Sequence, residues 1–158
     1  MNQYEELIQK FYQSFKDKNI PAMLECYHDE VEFSDPVFIN LKGNAVKAMW
    51  AMLIERGTDL QISYKNISAN EKKGSADWTA MYTFSKTNRK IINNIHAEFK
   101  FKDGKIIEHR DKFSLWKWAG MALGFPGYLL GFTPMITNQI KSDAEQSLKL
   151  YMKRKKIV

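Results

Sequence analysis

Three side chains in this 158-residue sequence have the types and spacing for proton-transfer chemistry. Asp35 closes the alternating run Val31, Phe33, Asp35 and directly precedes Pro36, which turns the chain out of a strand. His109 and Asp111 stand two residues apart, so a strand turns both toward the face that carries Ile107, Phe113 and Leu115. A carboxylate facing an apolar cleft is partly desolvated, which raises its proton affinity toward the range where it can take a weakly acidic C–H proton. Perturbed titrations gather at such clefts. Each residue also has a plainer reading. An aspartate before proline is a common turn residue, Asp111 could pair with Arg110 or Lys112, and His109 could be a packing group. His96 shares its parity with Glu98 and Lys100 and belongs on the outer face of the same sheet. The three histidines show no metal-ligand spacing, and no metal is expected.

The elements that must position these groups are legible from periodicity. Tyr4, Leu7, Ile8, Phe11, Tyr12 and Phe15 recur at three- and four-residue steps and place one apolar stripe on a first helix. Asn19 caps a short second helix with Pro21 in its first turn, burying Met23, Leu24 and Tyr27. His28-Asp29-Glu30 is expected to turn the chain into the strand that ends at Asp35. Gly43 precedes a third helix with Val46, Met49, Trp50 and Leu53 on one side, and Gly57 closes it. The period then changes to two. Leu60, Ile62 and Tyr64 open a strand, and Ala76, Trp78, Ala80, Tyr82 and Phe84 share a face of the next. Ile91, Asn93, Ile95, Ala97, Phe99 and Phe101 share a face of the third. Lys102-Asp103-Gly104-Lys105 makes a hairpin turn into the last strand. Three helices followed by a long antiparallel meander give an α+β fold, a curved sheet with helices over one face.

Composition narrows the partners. Hydrophobic residues make up 44% and aromatics 13%, enough to fill one core and to wall a pocket. The net charge of +6 is concentrated at one end. Lys149, Lys153, Arg154, Lys155 and Lys156 supply five of those charges, which leaves +1 for everything before them. The body is therefore near neutral, and the tail reads as a solvated terminus or, alternatively, a contact for an acidic surface or anionic lipid. No nucleic-acid-binding motif accompanies the charge, so no nucleic-acid partner is expected. Cys26 is the only cysteine, which excludes an intrachain disulfide and a Cys-based metal site. The amphipathic start, with Glu5, Glu6 and Lys10, differs from a signal peptide, and a cytoplasmic location is expected.

The stretch from Trp118 to Ile140 carries no charge and holds four of the eight glycines and two of the four prolines. Pro126, Pro134 and the clustered glycines argue against a membrane helix, so a membrane partner is not expected. Trp118, Met121, Leu123, Phe125, Tyr128, Leu129, Leu130 and Phe132 cannot all stay in water, which predicts a lid folded over an apolar opening, with a dimer contact or insertion into a membrane surface as the alternatives. After Pro134, the spacing of Ile136, Ile140, Ala144, Leu148 and Tyr151 predicts an amphipathic helix.

The order of these elements, with Phe33-Ser34-Asp35-Pro36, Gly43 before the third helix and Asp103-Gly104-Lys105-Ile106 before the last strand, resembles the ketosteroid isomerase/SnoaL-like branch of the nuclear-transport-factor-2-like superfamily. Trp78, Tyr82-Thr83-Phe84, Asn93, Ala97, Phe99 and Phe101, then Asp111-Lys112-Phe113-Ser114-Leu115-Trp116-Lys117-Trp118 and Ala122-Leu123-Gly124, are similar to a bacterial SnoaL-like subgroup. The resemblance implies a cone-shaped curved antiparallel sheet packed against three N-terminal helices. Residues 1–118 would form that domain, and 119–158 a C-terminal extension, lid and helix, packed on it. It implies that Asp35 is the general base and that Asp111 lies at or near an acid/base aspartate of the cyclases. It also implies a homodimer through the outer sheet face, where Ile92, His96 and Trp116 alternate with the inward set. The isomerase oxyanion donors do not carry over: their positions fall on Phe11 and at or beside Ala97. Each missing donor costs on the order of 3 kcal/mol, so authentic steroid isomerisation is not expected.

Three function classes remain open, since the fold hosts all of them. One is a cofactor-free isomerase or cyclase acting on an apolar, ring-containing carbonyl compound, with Asp35 as base, Asp111 as acid or second base, and His109 orienting or shuttling. Its pocket would be lined by Phe11, Tyr12, Tyr27, Trp50, Trp78, Tyr82, Asn93, Ala97, Phe99 and Phe113. A second is a non-catalytic binder of an apolar or lipid-like ligand in the same pocket. A third is a protein-interaction module using the outer sheet face or the tail.

Overall fold

The computed structural model describes residues 1–131 and 133–158. Helix α1 (Gln3–Lys16) starts at a capping box, in which Asn2 Oδ1 accepts the Tyr4 and Glu5 amides and the Glu5 carboxylate accepts the Asn2 amide. Its apolar stripe buries Ile8, Phe11, Tyr12 and Phe15. Helix α2 (Ile20–Leu24) is capped by Asn19 with Pro21 in its first turn. Helix α3 (Asn44–Arg56) follows Gly43, whose φ of 55° lies in the left-handed region that favours glycine.

Six strands form one sheet: β1 (Tyr27–Ser34), β2 (Leu41–Lys42), β3 (Gln61–Ala69), β4 (Lys73–Phe84), β5 (Arg89–Lys102) and β6 (Lys105–Lys112). Their spatial order is β2-β1-β6-β5-β4-β3. The meander β3–β6 is antiparallel, but β1 lies parallel to β6, a pairing that periodicity does not reveal. His28, Asp29 and Glu30 belong to β1 and do not form the expected turn. A bulge between Tyr27 and Glu32 lets these polar residues stay at the surface while the strand continues. Strand β6 ends at Lys112, so Phe113 and Leu115 lie beyond it. Ser114 ends the run by accepting the Lys117 amide at 3.2 Å and capping the next helix.

The inner sheet face and the helices enclose an aromatic core in which Phe11, Tyr12, Phe15, Phe33 and Trp50 are fully buried. Three further helices follow: α4 (Leu115–Leu123), α5 (Phe125–Leu130) and α6 (Pro134–Arg154). Leu148 and Tyr151 of α6 join the same core cluster as α3. Trp118 of α4 is half-buried, donating its indole N–H to the Tyr82 hydroxyl at 2.8 Å and meeting Phe84 edge-on. Met121 and Leu123 are also half-buried. Phe125, Tyr128, Leu129 and Leu130 are exposed, contrary to the burial expected of a lid, and Phe132 lies outside the described residues. The reason is local. Gly127 and Gly131 are buried against α4, where a side chain at Gly127 would collide with the Ala119 carbonyl, so the large residues of α5 turn outward. Among the described residues no helix is long and apolar enough to cross a membrane.

Candidate active site

Register brings the titratable groups together. In the parallel pair, Phe33 lies opposite His109 and Ser34 opposite Arg110, so Asp35, one residue past the end of β1, comes to the same cleft as Asp111. Across the sheet, His109 faces Phe99 and Asp111 faces Ala97. Because β1 and β6 run in the same direction, both aspartates arrive at the same end of the sheet. An antiparallel pairing would have separated them.

His109 is fully buried, and both of its ring nitrogens are engaged. The Trp50 indole donates to the Tyr27 hydroxyl oxygen at 2.7 Å, and that hydroxyl lies 2.7 Å from His109 Nδ1. An indole N–H can only donate and an ionised carboxylate can only accept, so in the neutral ring Nε2 carries the proton facing Asp111 and Nδ1 accepts from the Tyr27 hydroxyl. The ring proton then sits on Nε2, which donates to Asp111 Oδ1 at 2.9 Å. Trp78 donates to the same oxygen at 3.3 Å. Phe99, Phe33 and Phe11 contact the imidazole edge-on or tilted, with centroids at 4.5, 5.1 and 5.6 Å, and Trp50 stacks on it at 5.8 Å. The imidazole is held on all sides and can act only through its two bonded partners. Arg110 pairs with Glu108 and Lys112 with Glu98, so Asp111 is not the surface ion pair that its neighbours in sequence would allow.

Asp35 is held differently. Its Oδ1 accepts the Val37 amide at 2.7 Å and the Phe38 amide at 2.6 Å, a turn imposed by Pro36. Burial pushes its carboxyl up to about 7; the Asp111 charge adds to the rise and the Phe38 and Val37 amides oppose it. Such a group changes protonation near neutral pH, as a general base requires.

Asp35 and Asp111 both line a cleft of about 400 Å³, together with Ser34, Asn40, Arg110, Lys112 and Phe113. Of the side chains expected to line a pocket, Phe113 borders this cleft. Phe11, Tyr12, Tyr27, Trp50, Trp78, Ala97 and Phe99 are packed into the core beneath it. Asn93 is buried on the inner face of β5, and Tyr82 is half-buried against Trp118. The Tyr12 hydroxyl is buried with no hydrogen-bond partner among the described residues. Sequence reasoning placed Tyr27 as pocket wall and missed its bond to His109, because the two are 82 residues apart and no local pattern joins them. It also missed Ser34 and Asn40, which the cleft reaches only because Asn40, at a positive φ of 55°, folds the loop back so that its amide bonds the Ser34 hydroxyl at 3.0 Å.

Comparison with known proteins agrees with this architecture. The sequence profile of the SnoaL-like domain matches residues 8–109. No curated protein matches the sequence significantly. Among solved structures, TerC co-crystallised with polyporic acid superposes with a TM-score of 0.67 at 17% identity, covering 77% of this chain and 99% of TerC. An LEH-like epoxide hydrolase from M. tuberculosis gives 0.65 at 13% identity, covering 82% of this chain and 96% of its own. A Xanthomonas campestris protein provisionally named a polyketide cyclase gives 0.64 at 18% identity, with 76% and 96% covered. At these identities the likeness is one of fold.

Proposed function

The chain belongs to the SnoaL-like domain family, and on that premise we propose that it is a cofactor-free acid/base enzyme of the isomerase or cyclase type, acting on an apolar, ring-containing carbonyl compound. The observation that carries this reading is the placement of Asp35 and Asp111 on one cleft, with Asp111 anchored by His109 and Trp78. In the proposed reaction Asp35 takes a proton from the carbon beside the carbonyl, and the C–H electron pair moves into an enolate. Phe11 and Ala97 offer the developing oxyanion no donor, and Arg110 and Lys112 on the cleft rim are already paired with Glu108 and Glu98. In an isomerisation of a β,γ-unsaturated compound the electron pair spreads over a dienolate and Asp35 returns the proton to the γ carbon; in a cyclisation the enolate carbon attacks a second carbonyl of the same molecule, whose π pair moves to its oxygen, and that oxygen takes the proton back from Asp35. Asp111, tied through His109 to Tyr27, is the second acid/base group. TerC's polyporic acid and the epoxide hydrolase and cyclase names among the relatives fit small-molecule chemistry in such a cleft.

The dense aromatic core beneath the cleft favours a second reading, in which an apolar ligand is bound without chemistry. Incubation with 2-tetralone in D₂O separates the two. Enzymatic proton transfer predicts accelerated deuteration at the carbon between ring and carbonyl, read by NMR, with a loss of at least about a hundredfold in Asp35→Asn. Equal rates in the wild type and Asp35→Asn would refute Asp35 as base, and binding without deuteration would favour the second reading. The outer sheet face, with Ile92 and His96 exposed, is the surface on which two copies would pair. A strict monomer in sedimentation at micromolar concentration would refute that pairing.

A further inference from the structure

Helix α5 is built inside out. A surface helix ordinarily turns its large apolar side chains to the core and its small or polar ones to water. Here the buried positions are Gly127 and Gly131, packed so closely on Ala119 of α4 that neither could carry a side chain without displacing it. The outward positions are Phe125, Tyr128, Leu129 and Leu130, with 72, 48, 53 and 44% of their surfaces exposed. Trp116 extends the patch from α4: its indole donates to the Tyr128 carbonyl at 2.8 Å, and the two rings meet edge-on at 6.1 Å. Met135, at the start of α6 and 72% exposed, continues the run of exposed apolar side chains. A contiguous apolar surface of this kind on a small domain marks a place where something docks.

Electrostatics says what docks. From residue 112 to residue 142 the chain carries Lys112, Lys117 and Lys141 and no acid. Lys117 is exposed, and neither it nor Lys141 joins an ion pair among the described residues. Arg89, the first residue of β5, anchors to the Met121 carbonyl of α4 at 2.8 Å and adds a further cation beside Gly124. Aliphatic and phenyl side chains beside tryptophan and tyrosine, flanked by cations and free of acids, match the layered chemistry of a bilayer surface. The acyl boundary takes Phe125, Leu129 and Leu130, the headgroup level takes Trp116 and Tyr128, and anionic headgroups take the lysines and arginine. We propose that the α4–α5 tip docks this protein on an anionic lipid bilayer, dipping into one leaflet without crossing it. This departs from the burial expected of the same side chains on sequence alone, and it does not depend on the chemistry of the Asp35 cleft.

The test uses the full chain and vesicles of phosphatidylcholine and phosphatidylglycerol at two to one, compared with phosphatidylcholine alone. Co-sedimentation should show binding to the anionic vesicles that weakens in high salt and falls sharply without phosphatidylglycerol. Phe125→Ser with Leu129→Ser should lower partitioning by at least about tenfold, because both side chains are exposed and their loss leaves the core intact. Ile39→Ser, a similarly exposed apolar residue elsewhere, should leave it unchanged. Lys117→Glu with Lys141→Glu should weaken binding to anionic vesicles selectively. Absence of binding to either vesicle would overturn the proposal. So would a double serine variant that binds vesicles like the wild type, or one that instead splits a dimer in sedimentation, which would assign the patch to a second copy of the chain.

Discussion

Replacing Asp35 by asparagine should stabilise the protein at neutral and alkaline pH while leaving it unchanged in mild acid. The amide oxygen can still accept the Val37 and Phe38 N–H bonds, so the loop geometry survives and only the ionisable proton is lost. The sign follows from linkage. Burial raises the folded-state value from 3.8 to about 7, so between those limits the folded protein holds a proton that the unfolded chain has released. Wild-type stability contributed by this group is therefore full below about pH 4 and is lost as pH rises through about 7. Taken whole, the rise corresponds to about 4 kcal/mol; solvent reaching the half-buried carboxylate trims this to about 2–3 kcal/mol. Urea unfolding followed by tryptophan fluorescence, on both proteins between about pH 3 and 8.5, reads the difference directly. The variant's advantage should grow from near zero to its plateau across that range. A difference that does not change with pH, or a variant less stable than the wild type at pH 8, would show that Asp35 is not held in an apolar environment.

Two substitutions probe the core beneath the cleft. Tyr12→Phe removes a buried hydroxyl that has no partner among the described residues and should raise stability by about 1–2 kcal/mol in the same denaturant titration. Tyr27→Phe strands the Trp50 indole N–H and His109 Nδ1 together and should cost about 2–4 kcal/mol.

Much of the fold was legible because its signals are periodic. The alternation along β5, from Ile91 to Phe99, is matched residue for residue by its burial, and Asn19 caps its helix by a direct local bond. What escaped was non-local. The parallel pairing of β1 with β6 leaves no trace in either strand's own pattern, yet it alone brings Asp35 to the same cleft as Asp111. The same is true of the Trp50–Tyr27–His109 chain, whose members come from three separated segments. The α5 patch was misread for a different reason. Hydrophobicity says that side chains seek burial, but Gly127 and Gly131 claim the packing position against Ala119 and leave none for Phe125 or Leu129.

The most direct measurement is the titration of the Asp35 side-chain carboxyl by ¹³C NMR in the intact protein, assigned through Asp35→Asn and repeated in Asp111→Asn. A base poised in a shared cleft predicts a midpoint of about 7 in the wild type, falling when the Asp111 charge is removed. A midpoint near the ordinary 3.8, unmoved by Asp111→Asn, would mean that Asp35 is not desolvated beside Asp111 and is only a turn residue.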